Sequence, residues 1–488
     1  MAKVRAVATA RVFGIPWLLL AAVGGLAAGG FWVSPRFRAL PPPLLVRAAP
    51  EAAWMGIDAR QRAGIMALVQ DALEIETDRT ILTEAPHVRS GTSRMEVLQV
   101  SARREGDALH LQMDRTRFDG TWDQLKSFGH PLAAFRGFLV SLGYQPTHLE
   151  ALLPAEPRAF WDLSRLMANL PLPEIQPEIK RARQLVEQEP RSAAAHFALG
   201  FLMYRELIME ANGPEDSHVW CEALLKKALA LVPGYPRAAY QLVRWKTDVG
   251  APKEALELAF EFRRSHPRNF LVYGGLAYAA RNSGLLEGAL EALRARETLC
   301  GGLLADPGLA ENTYLYRGDL ERFHRTLAPI PGMPFSPVRE FYRGYLCMIE
   351  GNPAGARDFF LQAGQRPGMD SQFEALAKVY DLALDGRTQE ALGQLRALRA
   401  GRASLRVPDG EFTFKLAEAY AFLGQRDEAI DTGARAFGQG FGCTRWYCES
   451  PLLAELRGLP RWNALLQHLQ ERQNQMALAF PVQRFGLE

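Results

Sequence analysis

The segment LAEAYAFLGQRDEAIDTGARA, residues 416–436, reads as two short helices joined by a tight reversal at Gly424. Its apolar residues recur at helical intervals, and five residues after the glycine stands a small one, Ala429. The same punctuation runs upstream: Gly250 with Ala255, Gly284 with Ala289, Gly318 with Phe323, Gly351 with Ala356 and Gly386 with Ala391. From Gly250 to Gly424 the successive intervals are 34, 34, 33, 35 and 38 residues. A reversal between helices needs left-handed backbone angles, which glycine adopts without a Cβ clash. A small side chain five places on lets the second helix cross the first closely. Pro233 and Pro267, also 34 apart, close two units because proline cannot continue a helix. A period of this length predicts a stack of helix pairs.

Spacing and residue type together resemble the tetratricopeptide repeat. HFALGFLMY (residues 196–204) followed by CEALLKKALALVP (221–233) is similar to a further unit with extra residues, ANGPEDS among them, at its turn. About seven units are expected between 177 and 440. The resemblance implies an open α-solenoid whose long concave face binds other polypeptides. Tyr240, Trp245, Phe260, Phe262, Tyr273, Tyr278, Phe341, Tyr342, Phe359, Phe360, Tyr420 and Phe422 lie at helical spacing, where core packing is the expected role.

Residues 12–33, VFGIPWLLLAAVGGLAAGGFWV, carry no charge. As a helix they reach roughly 33 Å, enough for the hydrocarbon core. Trp17 and Trp32 stand near the ends and Arg11 and Arg36 mark the edges, so one membrane span is expected. A cleavable signal peptide is the competing reading, given Lys3, Arg5 and Arg11 and the small residues around Ala27. The long apolar run and bulky Phe31, Trp32 and Val33 beyond that point favour an anchor. Gly25 and Gly29 form a GxxxG pair through which two such helices can make a homodimer; a plain lipid-facing span is the alternative. Basic residues flank both sides, so the export of the long C-terminal part rests on the usual layout of signal anchors.

Pro35 and Pro41, Pro42 and Pro43 form a stiff spacer, after which the period changes. LLVRA (44–48) and TILTEA (80–85) read as strands around an amphipathic helix at 60–74. EVLQVSARR (96–104) and ALHLQMDRT (108–116) alternate as a half-buried hairpin does, and a helix is expected from about 122 to 142. This order, with REGDALHLQMDRTRFDGTWDQL, resembles the TolB amino-terminal-like domain, which implies a bacterial membrane protein. PAEPRAFWDLSRLM (154–167) is similar to the link helix that follows that domain.

The fold class expected is therefore mainly α: a tetratricopeptide α-solenoid of about seven helix pairs, preceded by a small α/β domain and one transmembrane helix. The organisation expected is a tail and anchor at 1–35, the TolB-like domain at 36–150, a linking helix at 151–176, the superhelix at 177–440, and a C-terminal cap and loose tail at 441–488. A net charge of +3 with 23% charged residues is near balance and no basic block stands out, so nucleic acid is not an expected partner.

Cys221, Cys300 and Cys347 lie in apolar helical contexts. Cys443 and Cys448, separated by TRWY, are close enough for a disulfide in an oxidising compartment, with two free thiols as the alternative. The nine histidines are scattered, with no HExxH pair, no phosphate-binding loop and no GxSxG elbow, so no metal, cofactor or enzyme activity is expected. The reading is a scaffold in the bacterial inner membrane, its C-terminal domains periplasmic, binding other proteins in envelope assembly or signalling. A sensory ectodomain working with a separate kinase or cyclase is one alternative, and an enzyme with a site in the α/β domain is another.

Overall fold

The computed structural model describes residues 43–77, 79–83, 96–117, 121–168, 175–209, 217–300, 311–328, 335–365 and 371–487. The chain is mainly helical, with a small mixed sheet on its N-terminal side. Residues 12–33, with Gly25 and Gly29, lie outside the described residues, among which no helix is long and apolar enough to cross a membrane.

The sheet comprises β1 (Leu44–Ala48), β2 (Ile81–Thr83), β3 (Glu96–Glu105), β4 (Ala108–Thr116) and β5 (Trp122–Gly129), in the order β2-β1-β3-β4-β5. β1 runs parallel to β2 and β3, and the other pairings are antiparallel. Leu98, Val100 and Ala102 of β3 and Leu109, Leu111 and Met113 of β4 share a core with α1 (Ala59–Glu76) and α2 (Pro131–Ser141). Asp58 caps α1 by accepting from the Gln61 amide in a capping box. The helix expected from 122 to 142 is instead a strand followed by a shorter helix. WDQLKSFG alternates exposed and half-buried side chains, and Pro131 opens α2, where its missing N–H costs nothing.

Three helices follow: α3 (Leu149–Leu152), α4 (Pro157–Leu166) and α5 (Gln176–Gln188). α1 and α4 meet at Gly64, where a Cβ would stand 1.5 Å from the Ser164 carbonyl oxygen, so only glycine permits the crossing. Seven packed pairs follow among the described residues: α6 (Ala193–Met209) with α7 (Ser217–Leu231), α8 (Pro236–Asp248) with α9 (Pro252–Ser265), α10 (Phe270–Asn282) with α11 (Leu286–Leu299), α12 (Asn312–Tyr316) with α13 (Leu320–Thr326), α14 (Pro337–Ile349) with α15 (Pro353–Gln365), α16 (Ser371–Leu384) with α17 (Thr388–Gly401), and α18 (Gly410–Phe422) with α19 (Arg426–Gly438).

Gly250, Gly284, Gly318, Gly351, Gly386 and Gly424 all stand at these reversals with φ between 74° and 90°. The residue after each donates its amide to the carbonyl five positions back, as Gln425 does to Tyr420 at 2.9 Å, which satisfies a helix-terminal acceptor. Ala255, Ala289, Phe323, Ala356, Ala391 and Ala429 are fully buried. Of the aromatics, Trp245, Phe260, Tyr273, Phe341, Tyr342, Phe360 and Tyr420 are buried, whereas Tyr240, Phe262, Tyr278, Phe359 and Phe422 are half-buried.

The C-terminal segment forms α20 (Thr444–Glu449), a 3-10 turn at Pro451–Leu456 and α21 (Pro460–Ala479), with Trp462 buried against Gly433 of α19. Residues 476–487 are not the loose tail expected. Met476, Phe480 and Phe485 are buried, and the rings of Phe480 and Phe485 lie 5.7 and 5.0 Å from that of Phe260 on α9. Each phenylalanine removed from water contributes about 1.5–3 kcal/mol, enough to hold a short segment in place.

The helical array also differs from the open groove expected, because its last pairs return to its earlier ones. Gly440 lies so close to Gly250 that a Cβ on it would be 2.8 Å from the Gly250 Cα. The Gly442 amide donates to the Asn282 carbonyl at 2.6 Å, the Asp409 amide to that of Asp248 at 3.2 Å, and Gln473 on α21 to that of Gly284 at 3.0 Å. All but one residue of α18 is buried on every side. The inner side of the curl is filled by the chain itself.

Candidate functional site

α18, GEFTFKLAEAYAF, carries Glu411, Lys415 and Glu418 at i, i+4 and i+7, one charged stripe of a helix whose other residues, Thr413 apart, are small, apolar or aromatic. Burying such a stripe demands partners, and three earlier helices together with the segment after α19 supply them. Glu411 accepts from Arg281 of α10 at 2.8 Å and from Asn312 and Tyr316 of α12 at 2.7 Å each. Asn312 in turn donates to the Tyr342 hydroxyl of α14 at 2.7 Å. Burial alone would raise the Glu411 carboxyl, but the Arg281 charge and the hydrogen bonds from Tyr316, Asn312 and Arg281 hold it below the usual range.

One turn on, Lys415 donates to Glu418 at 2.9 Å, both side chains wholly buried. The other Glu418 oxygen accepts from Tyr345 of α14 at 2.7 Å, Trp446 at 3.1 Å and Ser450 at 2.6 Å. The Lys415 ammonium also sits 4.0 Å from the centre of the Tyr345 ring. Desolvation pushes Lys415 below the ordinary lysine range despite the Glu418 charge.

Before α18 the chain turns at Asp409, the only non-glycine residue with positive φ, 46°, among the described residues. Its side chain caps α18 by accepting from the Phe412 amide at 3.2 Å. Asp409 faces Asp248, which accepts from Tyr204 of α6 and Tyr278 of α10, both at 2.5 Å. Arg244, one turn before Asp248, lies 5.4–5.9 Å from the ring centres of Tyr204, Tyr240 and Tyr278. Burial, then the charges of Asp248 and Glu411, raise Asp409 to about 7. Burial also raises Asp248, against the pull of Arg244. Arg402, whose charge draws Asp409 down, donates to Gln372 and to the Pro408 carbonyl and is itself brought down to about 10 by burial. The whole is a seam of buried charge that joins α6, α8, α10, α12 and α14 to α18.

A second polar cluster fastens the α/β domain to the array. Asp71 of α1 accepts from Tyr235 at 2.8 Å and from Arg237 of α8, and Gln70 bridges Arg237 to Glu74. Burial and the Asp71 charge push Glu74 up to about 8. Leu45, Leu82 and Val97 on the outer face of the sheet pack with Val243 and Phe270.

The remainder of that face, over β3, β4 and β5, is open and bounds a cavity of about 460 Å³ lined by Met55, Arg103, His110, Gln112, Lys126 and Phe128 among others. His110 lies 3.0 Å from Glu105, and its ring centre is 3.8 Å from that of Phe128. The strand alternation foretold the half-buried hairpin that carries His110 but not the aromatic on the strand beside it.

The glycines and alanines of the repeat punctuation are spread along the array as turns and crossings, and they do not converge on a site. The seam residues escaped the sequence reading, although the charged stripe on α18 was the signal that could have exposed them. Cys443 and Cys448 are free thiols, so the disulfide is not formed: Cys443 caps α20 from a buried position, whereas Cys448 in that helix is exposed. Cys221, Cys300 and Cys347 are also free. Among the described residues no group of three or more His, Cys, Asp or Glu is arranged to hold a metal ion. No protein-family model matches the sequence, and no curated protein is significantly similar to it.

Proposed function

We propose that this protein is a scaffold anchored through residues 12–33 in a bacterial inner membrane, its folded part outside the cytoplasm. Its repeats are a tetratricopeptide superhelix of about seven pairs that holds a TolB-like α/β domain. The positive-φ glycines, the buried alanines after them and the seven successive helix pairs support the repeat reading.

The closed seam moves the protein-binding role away from the concave side. The observation that carries the proposal is the open sheet face over β3, β4 and β5, with its cavity of about 460 Å³ beside Met55, His110 and Phe128. A polar floor with aromatic and thioether walls suits another polypeptide. The array's part is to hold this face rigidly, through Asp71, Tyr235 and Arg237.

The test is a photo-reactive amino acid placed at Gln112, on the open face, or at Glu321, on the outer surface of α13, in the full-length protein in its native membrane. Defined adducts with other envelope proteins at Gln112 but not at Glu321 support the proposal. Adducts only at Glu321, or only with cytoplasmic proteins, overturn it.

A further inference from the structure

β5 is an edge of the sheet: among the described residues its only ladder partner is β4. Edges are ordinarily blunted by proline, bulges or a run of charge, because their unpaired amides and carbonyls recruit other strands. β5 is eight residues long and has no proline; its charges are one of each sign, Asp123 and Lys126, and its open-face side chains are Trp122, Gln124, Lys126 and Phe128, all exposed. Trp122 and Phe128 are 61% and 62% exposed, large apolar surfaces, Phe128 with the His110 ring against one of its faces.

The spacing of these side chains is symmetric. Trp122 and Phe128 each stand three places from Leu125, and Gln124 and Lys126 each stand one place from it. A second copy laid antiparallel about a two-fold axis normal to the sheet, midway between the two Leu125 residues, keeps both open faces on the same side. It sets Trp122 opposite Phe128 twice and Gln124 opposite Lys126 twice. Aromatic pairs directly across antiparallel strands are among the stabilising ones. A strand symmetric about its own centre meets the requirement of a two-fold interface, in which one surface must complement itself.

We propose that two copies of this chain associate through β5, continuing their five-stranded sheets into one. The occupant of the edge is a second copy because the aromatic and polar positions complement themselves in this register. The inference does not depend on the scaffold reading.

The test uses the full-length chain in detergent, with mass followed by sedimentation velocity over a range of concentrations. A reversible dimer is expected. Trp122→Ser with Phe128→Ser should weaken it about thirtyfold, since two aromatic pairs are lost. Gln124→Glu, which faces Lys126, should tighten it a few-fold at low salt, and Gln124→Lys should weaken it. All of these positions are exposed, and unchanged circular dichroism and melting verify the fold. A chain that stays monomeric at every concentration overturns the proposal. So does a dimer unaffected by the double serine variant, as one joined through Gly25 and Gly29 would be. Equal responses to Gln124→Glu and Gln124→Lys overturn the register and the proposal with it.

Discussion

Replacing Glu418 by glutamine removes one charge from a wholly buried pair and keeps the shape. Its Oε1 still accepts from Tyr345, Trp446 and Ser450, but Lys415 loses its counter-charge and faces an amide. An orphaned buried charge costs about 3–5 kcal/mol, so E418Q is expected to lose that much stability. Lys415→Met should cost a similar amount, because it strands the carboxylate instead. The double variant Lys415→Met with Glu418→Gln carries no charge, retains the three hydrogen bonds to Oε1, and should unfold within about 1 kcal/mol of the natural chain. With both single losses at about 3 kcal/mol or more and the double loss at about 1 or less, the interaction energy of the cycle is at least about 5 kcal/mol. Urea midpoints followed by far-ultraviolet circular dichroism, with the slopes compared, measure it. Additive single effects, or a loss below about 1 kcal/mol in E418Q, would refute the idea that charge pairing joins α18 to the seam.

Gly284 and Gly351 have similar φ, 79° and 76°, but a Cβ on Gly284 would lie 2.4 Å from the Gly442 carbonyl oxygen while one on Gly351 meets open space. Alanine at 351 should cost about 1–2 kcal/mol through backbone strain, and alanine at 284 clearly more, as thermal melts would register. Asp409 is raised to about 7, so the folded state holds a proton that the unfolded chain has released above about 4, and the stability this confers falls as pH rises through 7. Urea midpoints should therefore be higher at pH 5 than at pH 8 on this account, and Asp409→Asn, which tolerates positive φ and still caps α18, should flatten the difference. Thiol labelling of the native chain should modify exposed Cys448 first. Cys300 and Cys443, buried and pushed up to about 12, should react only on unfolding, and protection of Cys448 equal to theirs would contradict the structure.

The turns were legible because a reversal is a local event: glycine at a left-handed position leaves its mark within six residues, and that mark repeats. The hairpin of β3 and β4 was legible for the same reason, through period-2 alternation on both sides of a tight turn. β5 was not, because half of its side chains are exposed and half only half-buried, so no fully apolar period announced a strand. The seam was least legible of all. Arg281 and Glu411 are 130 residues apart, and no local rule links them. What the sequence did carry was an inconsistency: three ionised residues in register on a helix with no polar face to spare. Phe480 and Phe485 belonged to the same class, apolar residues after a terminal helix whose cover lay on α9.

The return of α18, α21 and the terminal segment to α8 through α11 changes how force would travel through the molecule. A linear stack stretched from its two ends peels one unit at a time, each yielding at its own load, because neighbours alone hold neighbours. Here the contacts of Gly440 with Gly250, Gly442 with Asn282 and Phe485 with Phe260 span most of the array and lie in parallel with it. Tension applied across the chain would load that clasp first, leaving the units between slack until it parts. The helices then exposed would yield together at lower force, so the protein behaves as a latch with hidden length and not as a spring.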